Sequence, residues 1–183
     1  MRRILFALLL LVSFAGFSQN ARADNLAVNF LIDGMPGDPT VPSALYKASQ
    51  GWMPALGVTL AAGRIDASTG VVSVAPLLIK KPRDNASPAL AEAAASGRPF
   101  ASAVIDVRPG IAQGQTPYFP MYRILLTGVT VRRFQMASTA VSGASSSNEE
   151  VELEYSRIEW QYWISATTMV SRVGWDVAGR KAF

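Results

Sequence analysis

The sequence has 183 residues, of which 17 are basic and 13 acidic, and it contains neither histidine nor cysteine. Without these two residue types the chain cannot build a Ser-His-Asp triad, a histidine base, a cysteine nucleophile, a His or Cys metal site or a disulfide. What remains open is the chemistry of carboxylate pairs, of Ser-Lys or tyrosine groups, or no chemistry at all.

The first 23 residues have the three-part layout of a secretory signal peptide. A basic start, Met1 to Arg3, precedes an apolar run of 14 residues from Ile4 to Phe17, and Ala21-Arg22-Ala23 is a small-x-small cleavage site. The run is shorter than the ~20 residues that span a bilayer. We therefore expect a signal peptide over residues 1–23, cleavage after Ala23, a secreted or periplasmic protein, and one domain over residues 24–183.

Cleavage would leave a nearly neutral chain. Three of the 17 basic residues lie in the leader and no acidic residue does, so the mature chain has 14 basic and 13 acidic residues. This balance gives no argument for nucleic acid or for an anionic membrane as a partner. No other apolar run is long enough to cross a membrane, so we expect no stable membrane insertion after cleavage.

The first part of the mature chain predicts short strands separated by turns. In chain order, the predicted segments are a strand at Leu26–Ile32 ending in an Asp33-Gly34 turn, a proline-rich loop over Met35–Pro42, two short strands within Ser43–Leu60, a turn-rich Ala61–Gly70 and a strand over Val71–Lys81. Pro76 places its part of the last strand at an edge or a bulge, because proline has no N–H to donate.

One helix is predicted over Asn85–Gly97, because the segment is rich in alanine. Ser87 is the expected N-cap, and Pro88 follows at the first helical position, where its missing N–H is tolerated. Gly97 is placed for a left-handed C-terminal cap.

Strands are predicted again after the helix, over Phe100–Val107, Met121–Phe134 and Thr167–Val173, with a small, polar hairpin tip over Ala137–Asn148. The stretch Glu149–Ile164 predicts one long strand, because Val151, Leu153 and Tyr155 alternate with acidic residues. The next apolar set, which begins at Ile158 and includes Trp160, has the opposite parity. Either a β-bulge near Ser156-Arg157 or burial on both faces explains this change.

Together these segments predict a mainly β fold with eight or nine strands. The expected architecture is an antiparallel β-barrel or two-sheet sandwich flanked by one short α-helix.

Three groups of residues are candidates for function, and each has a structural alternative. Glu150, Glu152 and Glu154 are spaced about 6.6–7 Å apart along a strand, within the roughly 5–9.5 Å that glycosidase carboxylates require. The alternative is a solvated face that pairs with Arg132 and Arg133 on a neighbouring strand.

The tryptophans Trp52, Trp160, Trp163 and Trp175 could form a sugar-binding platform, or could lie in the core or at a subunit interface. Trp160 falls on the apolar parity and fits the core, whereas Trp163 has the opposite parity and fits an exposed or interface position. The third group, Lys80, Lys81 and Arg83, could bind phosphate at the helix start, or could be a solvated junction. On balance we assign no catalytic, cofactor-binding or metal residue, and we expect no cofactor.

Several stretches resemble the Hcp family, the hemolysin-coregulated proteins of type VI secretion systems. Lys80 and Lys81, then Asp84, Ala86 to Leu90 and Gly97, resemble a basic strand end followed by D-x-x-S-P-x-L, a short helix and glycine. The run Glu150-Val151-Glu152-Leu153, with Tyr155, Ile158, Trp160 and Tyr162, resembles E-x-V-x-L-x-Y-x-x-I-x-W-x-Y. Tyr122 and Ile32-Asp33-Gly34 also fit. The likeness covers most of Leu26 to Val177.

The resemblance implies a β-barrel with one helix that assembles into a six-membered ring with a wide channel, the rings stacking into a tube expelled with effectors. It also implies a structural protein without catalytic residues. The leader departs from the family, whose tube proteins are normally assembled in the cytoplasm.

These observations predict an exported, non-enzymatic, Hcp-like ring or tube component. Its expected partners are copies of itself, as a homohexamer, together with effector or tube-associated proteins. The alternative is a monomeric exported binding module that holds glycans through exposed tryptophans. A carboxylate hydrolase using Glu152 and Glu154 is the third possibility.

Overall fold

The computed structural model describes residues 26–37, 51–66, 71–109, 120–141 and 144–183. Within these ranges the chain forms twelve strands, all paired antiparallel, and one helix. The signal-peptide prediction and most of the proline-rich loop lie outside the described residues. No helix in the described ranges is both long and apolar enough to cross a membrane.

The elements follow one another with the helix between the sixth and seventh strands. In order they are β1 (Leu26–Ile32), β2 (Met53–Ala55), β3 (Gly57–Thr59), β4 (Ala62–Asp66), β5 (Val71–Val74), β6 (Leu77–Pro82), α1 (Ser87–Ser96), β7 (Pro99–Pro109), β8 (Tyr122–Val141), β9 (Ala144–Glu154), β10 (Arg157–Trp163), β11 (Met169–Asp176) and β12 (Lys181–Ala182).

Ten strands form one sheet, and seven of them close into a barrel. β1 pairs with β2 on one side and β7 on the other, β7 pairs with β8, β8 with β9, β9 with β6, and β6 with β3. Only Leu56 separates β2 from β3, and its backbone N–H donates to the carbonyl of Lys80 on β6 at 2.7 Å. The ladder therefore returns to β1. The predicted mainly β fold with a single short helix is confirmed.

A three-stranded extension leaves the barrel next to β8. β10 pairs with the first half of β8, β11 pairs with β10, and β12 adds two residues at the end of β11. β4 and β5 form a separate two-stranded sheet. The prediction of turns over Ala61–Gly70 is therefore wrong for Ala62–Asp66, because β5 supplies a ladder partner that outweighs the turn-prone composition.

The long strand predicted over Glu149–Ile164 is two strands, β9 and β10, that break at Tyr155-Ser156. Both pair with β8, and the register is the same on each side of the break, since Thr130 faces Glu154 and Thr127 faces Arg157. The predicted change of parity near Ser156 is confirmed. The single continuous strand is wrong, because the chain turns a corner there.

β8 bends at the position that lies beside the β9–β10 break. Its buried side chains change from Ile124 and Leu126 to Val129 and Val131, a switch of parity around Gly128. Gly128 has a φ of 62°, and a Cβ there would collide with the Ser156 hydroxyl. Both the N–H and the hydroxyl of Ser156 donate to the carbonyl of Thr127, at 2.9 and 2.8 Å. The two strands therefore bend together and keep their apolar residues in the core.

The hairpin arm is longer than predicted. β8 and β9 stay paired from Ala137 opposite Asn148 to Val141 opposite Ala144. The predicted hairpin is formed, but Ala137–Val141 and Ala144–Asn148 lie in its strands and not in a loop at its tip. Backbone pairing needs no apolar side chain, so the ladder extends into small, polar sequence.

The helix packs against β8 through Leu90 and Ala93, which are buried. Gly97 ends it in the left-handed conformation, with a φ of 65°, as predicted. The prediction that Ser87 caps the N-terminus is wrong. Ala86 precedes the first helical residue, no side chain caps the helix, and the Ser87 hydroxyl donates to Glu149 instead.

Candidate functional site

The acidic row on β9 forms cross-strand ion pairs. Arg133 on β8 contacts Glu152 at 2.6 Å and Glu150 at 3.8 Å, and Arg132 contacts Glu154 at 3.4 Å. All of these side chains are exposed or half-buried. The predicted solvated, arginine-paired face is confirmed.

The basic run Lys80-Lys81-Arg83 is split between two environments. Lys80 is exposed, whereas Lys81 is completely buried. Its ammonium contacts Glu149 Oε2 at 2.8 Å and Asp84 Oδ1 at 2.9 Å, and donates to the carbonyl of Pro82 at 2.8 Å. The prediction of a solvated junction is therefore wrong for Lys81, because β6 directs alternate side chains into the core.

This buried ionic cluster, made of Lys81, Asp84, Ser87 and Glu149, joins three elements. Lys81 is on β6, Glu149 on β9 and Ser87 at the start of α1, and the Ser87 hydroxyl donates to Glu149 Oε2 at 2.8 Å. Asp84 Oδ2 and Glu149 Oε1 have no hydrogen-bond partner among the described residues. The cluster is sealed from solvent, so it can hold the helix to the barrel but cannot meet a phosphate or a substrate.

Sequence reasoning missed the role of Glu149. Its position has the same parity as Val151 and Leu153, which are buried. A carboxylate on the apolar face of a strand is the signal that could have found it, since buried charges are normally paired.

A second ionic network lies on the outer face of the sheet. Arg123 donates to both oxygens of Asp106, at 2.6 and 2.8 Å, and Arg108 donates to Asp106 Oδ2 at 2.8 Å. Nearby, Arg172 on β11 donates to Glu159 on β10 at 2.8 Å. The hydrogen bond from Arg172 is the main reason why the pKa of Glu159 lies below its ordinary value. These groups tie neighbouring strands together.

None of the four tryptophans is exposed. Trp52 is buried against Leu31 and Val104, and the other three are half-buried. Trp160 and Trp175 pack against the core, so the prediction for Trp160 is confirmed. Trp163 donates its indole N–H to Gln161 at 3.3 Å. A flat platform of exposed tryptophans for sugar stacking is therefore not formed.

An open cavity lies beside Trp52. It has a volume of about 790 Å³ and is lined mainly by apolar or small residues, with Asp33 as the one charged side chain. Within the described ranges, no three acidic side chains are grouped closely enough to hold a metal ion.

The strongest candidate is the free edge of β11. On one side β11 pairs with β10, but on the other β12 pairs only with Trp175 and Asp176. The segment Met169–Val173 therefore has no strand partner on its outer edge among the described residues. All five of its side chains are exposed, Val170 by 52% and Val173 by 53%.

Apolar side chains extend this edge. Tyr162 and Ile164, at the end of β10 and just beyond it, are exposed by 42% and 58%. Trp160, half-buried, lies opposite Val173 and continues the same face toward buried Ile158. We call Met169–Val173 with Tyr162 and Ile164 the β11 edge surface. Unpaired backbone groups beside apolar side chains are what a strand of another chain can bind.

Comparison with known proteins identifies relatives of this chain. A family sequence model described as "Type VI secretion system effector, Hcp" matches residues 49–162, which is more than half of the chain. The chain belongs to the Hcp family. Among curated protein sequences no significant match is found.

Solved Hcp structures have the same fold. Hcp1 from Salmonella typhimurium aligns with a TM-score of 0.68 at 21% identity, over 86% of this chain and 99% of that one. A structure described as a type six secretion system protein gives a TM-score of 0.70 at 20% identity, with the same coverage. A type VI secretion system effector from Yersinia pestis gives 0.63 at 17% identity, over 82% of this chain and 99% of that one. At these identities the likeness establishes the fold alone.

Proposed function

We propose that this protein is an exported, non-enzymatic structural component that assembles into a homohexameric, Hcp-like ring, and that such rings are tube elements related to type VI secretion. Membership of the Hcp family supports the secretion role. The proposal includes a signal peptide over residues 1–23, a single domain over residues 24–183, and effectors or tube-associated proteins as further partners.

The observation that carries self-assembly is the β11 edge surface. An exposed strand edge with apolar side chains is costly for a soluble monomer, and natural proteins usually cover or charge such edges. Covering it with a copy of the same chain removes that cost.

A second free edge fits a ring better than a two-fold dimer. β7 pairs with β8 only as far as Thr130, so on that side β8 has no described strand partner from Val131 onward. Met136 is exposed there. A contact between two different surfaces is heterologous, and heterologous contacts close into rings when the rotation allows it.

The test is the oligomeric state of the mature chain, residues 24–183, measured by size-exclusion chromatography with light scattering and by native mass spectrometry. We expect six copies. Val170→Lys with Val173→Lys should give a folded monomer, because two charges are then placed on the edge. Leu56→Lys is the matched control, since Leu56 is equally exposed but lies away from the edge.

A wild-type protein that stays monomeric at high micromolar concentration would contradict ring assembly. Export has its own test, which is N-terminal sequencing of the protein from the exported fraction. We expect the chain to begin at Asp24, and a mature protein that begins at Met1 would contradict the leader.

A further inference from the structure

A chain of hydrogen bonds holds the β11 edge to β10 on the outer face of the sheet. Trp163 Nε1 donates to Gln161 Oε1 at 3.3 Å, and Gln161 Nε2 donates to Glu159 Oε1 at 2.5 Å. From β11, Arg172 Nη2 donates to Glu159 Oε2 at 2.8 Å. Each carboxylate oxygen of Glu159 therefore accepts a hydrogen bond, Oε1 from Gln161 on β10 and Oε2 from Arg172 on β11. We call these four side chains the Glu159 relay.

The strand register leaves room for this contact. Glu159 lies opposite Gly174, which has no side chain, while Arg172 lies opposite Gln161. Arg172 can therefore reach diagonally across the pair to Glu159, a distance that long side chains can bridge. The Phe183 ring fills the space beside Gly174, where an added Cβ would lie 2.5 Å from the ring. Glu159 is consequently buried, although it is on the outer face.

Arg172 is the cation that forms an ion pair with Glu159. The groups that face Glu159 are Arg157 and Gln161 on β10, Arg172 and Gly174 on β11, Arg123 and Leu125 on β8, and the Phe183 ring. The other two cations have acidic partners of their own, since Arg157 pairs with Asp176 at 3.2 Å and Arg123 with Asp106 at 2.6 Å.

We infer that Arg172 is a positioning residue for assembly: through Glu159 it holds the free β11 edge flat against β10, in the shape that a neighbouring copy binds. This inference rests on the proposed function, because the shape of the edge matters for assembly only if copies bind there. Arg172 itself is exposed, so its role is to fix the strand and not to fill the core.

The relay makes the edge sensitive to acid. Arg172 lowers the pKa of Glu159 below the ordinary glutamate value. A carboxylate with a lowered pKa stabilises the folded form above the unfolded pKa, and this contribution is lost as the pH falls through the lowered value. The edge should therefore stay fixed at neutral pH and loosen progressively as the pH falls from the ordinary glutamate pKa through the lowered pKa of Glu159.

Hydrogen–deuterium exchange of the mature protein, read on peptides that cover β11, tests the inference. Arg172→Met and Glu159→Gln should each exchange about tenfold faster across Met169–Gly174, which corresponds to the loss of one charge-assisted hydrogen bond. Arg172→Lys should keep most of the protection, because an ammonium can still donate to Glu159. The control is Arg132→Met, which breaks an exposed arginine–glutamate pair on β8 and β9 and should leave β11 unchanged.

A pH series separates positioning from simple structural loss. After correction for intrinsic exchange, wild-type β11 should lose protection on acidification, while Glu159→Gln should lose less, the remainder coming from Asp176 at the end of β11, whose pKa is also lowered. Unchanged protection in Arg172→Met, or the same acid profile in Glu159→Gln, would overturn the inference.

Oligomeric state is measured on the same samples. If the wild-type protein is a monomer and its β11 protection depends on Arg172, ring assembly is refuted but the role of Arg172 in fixing β11 stands. If the wild-type protein is a hexamer and Arg172→Met changes neither assembly nor β11 protection, ring assembly stands and the role of Arg172 is refuted.

Discussion

Two consecutive Lys–Glu pairs join β6 to β9, and they lie on opposite faces of the same two strands. Lys80 faces Glu150 and Lys81 faces Glu149. The outer pair is 3.3 Å apart with side chains 58% and 32% exposed, whereas the inner pair is 2.8 Å apart and fully buried. The chemical groups are identical, so any difference in their contribution comes from their surroundings.

The comparison shows what burial does to an ion pair. In water the attraction between two charges is weak and each group keeps its hydration if the pair breaks. In the core neither group can return to water, so each depends on the other and on Asp84. The inner pair therefore fixes where β6, β9 and α1 meet, while the outer pair adds little.

The largest expected effect is that of Lys81→Met. Removing the ammonium leaves Glu149 and Asp84 buried together without a cation, which should lower the free energy of unfolding by about 3–5 kcal/mol. Denaturant unfolding followed by circular dichroism measures this in the mature chain. A loss below about 1 kcal/mol would mean that the inner pair behaves like the outer one.

The second prediction sharpens the comparison by replacing the whole cluster. Lys81→Met combined with Asp84→Asn and Glu149→Met removes all three charges, and apolar or neutral groups often replace buried ions without loss. The triple variant should recover at least about half of the stability lost in Lys81→Met. A triple variant less stable than the single one would show that the charges themselves are needed.

The third prediction concerns Tyr155, which follows β9 on the side of the inner pair. Its hydroxyl donates to the carbonyl of Ala75 at 2.9 Å, and burial raises its pKa to about 12. The folded state then holds this proton more tightly than the unfolded state, so stability should fall between about pH 10 and 12. Tyr155→Phe should cost about 1 kcal/mol at neutral pH and should lessen that alkaline loss. Unfolding curves at pH 8 and above measure both effects.

The smallest expected effect is that of Lys80→Met. Loss of the outer pair should change stability by less than about 1 kcal/mol, and added salt should reduce even this, because exposed charges are screened. Measurements at low and high salt make it the direct control for Lys81→Met. A large, salt-independent loss would contradict the assignment of the two faces.

Local patterns in the sequence were sufficient to predict the class of fold. The alternation around Val151, the parity change near Ser156 and the alanine-rich segment before Gly97 predicted the β architecture and the single helix. The acidic row paired with Arg132 and Arg133 was also predictable, because only neighbouring strands are involved.

Features that depend on distant partners were not predictable. Lys81 and Glu149 are 68 residues apart in the sequence, and the local sequence around neither residue shows that the two form an ion pair. The β11 edge is free because none of the described strands pairs with Met169–Val173 on that side, which is a property of the order of strands in the sheet. The Ser87 hydroxyl was assigned to the helix cap because a local partner was expected, while a carboxylate from β9 binds it.

The shared corner at Gly128 and Ser156 has a consequence for how this chain can change. One continuous backbone lines the barrel before the corner and supports the outward extension after it, and both strands must reverse their facing at the same level. β8 already has one extra residue relative to β9, where the register shifts between Val131 and Arg133, so a further insertion or deletion needs another bulge if the core residues are to keep facing inward. Length variation is therefore absorbed most easily in the connecting loops, and within this pair of strands only where a bulge can form.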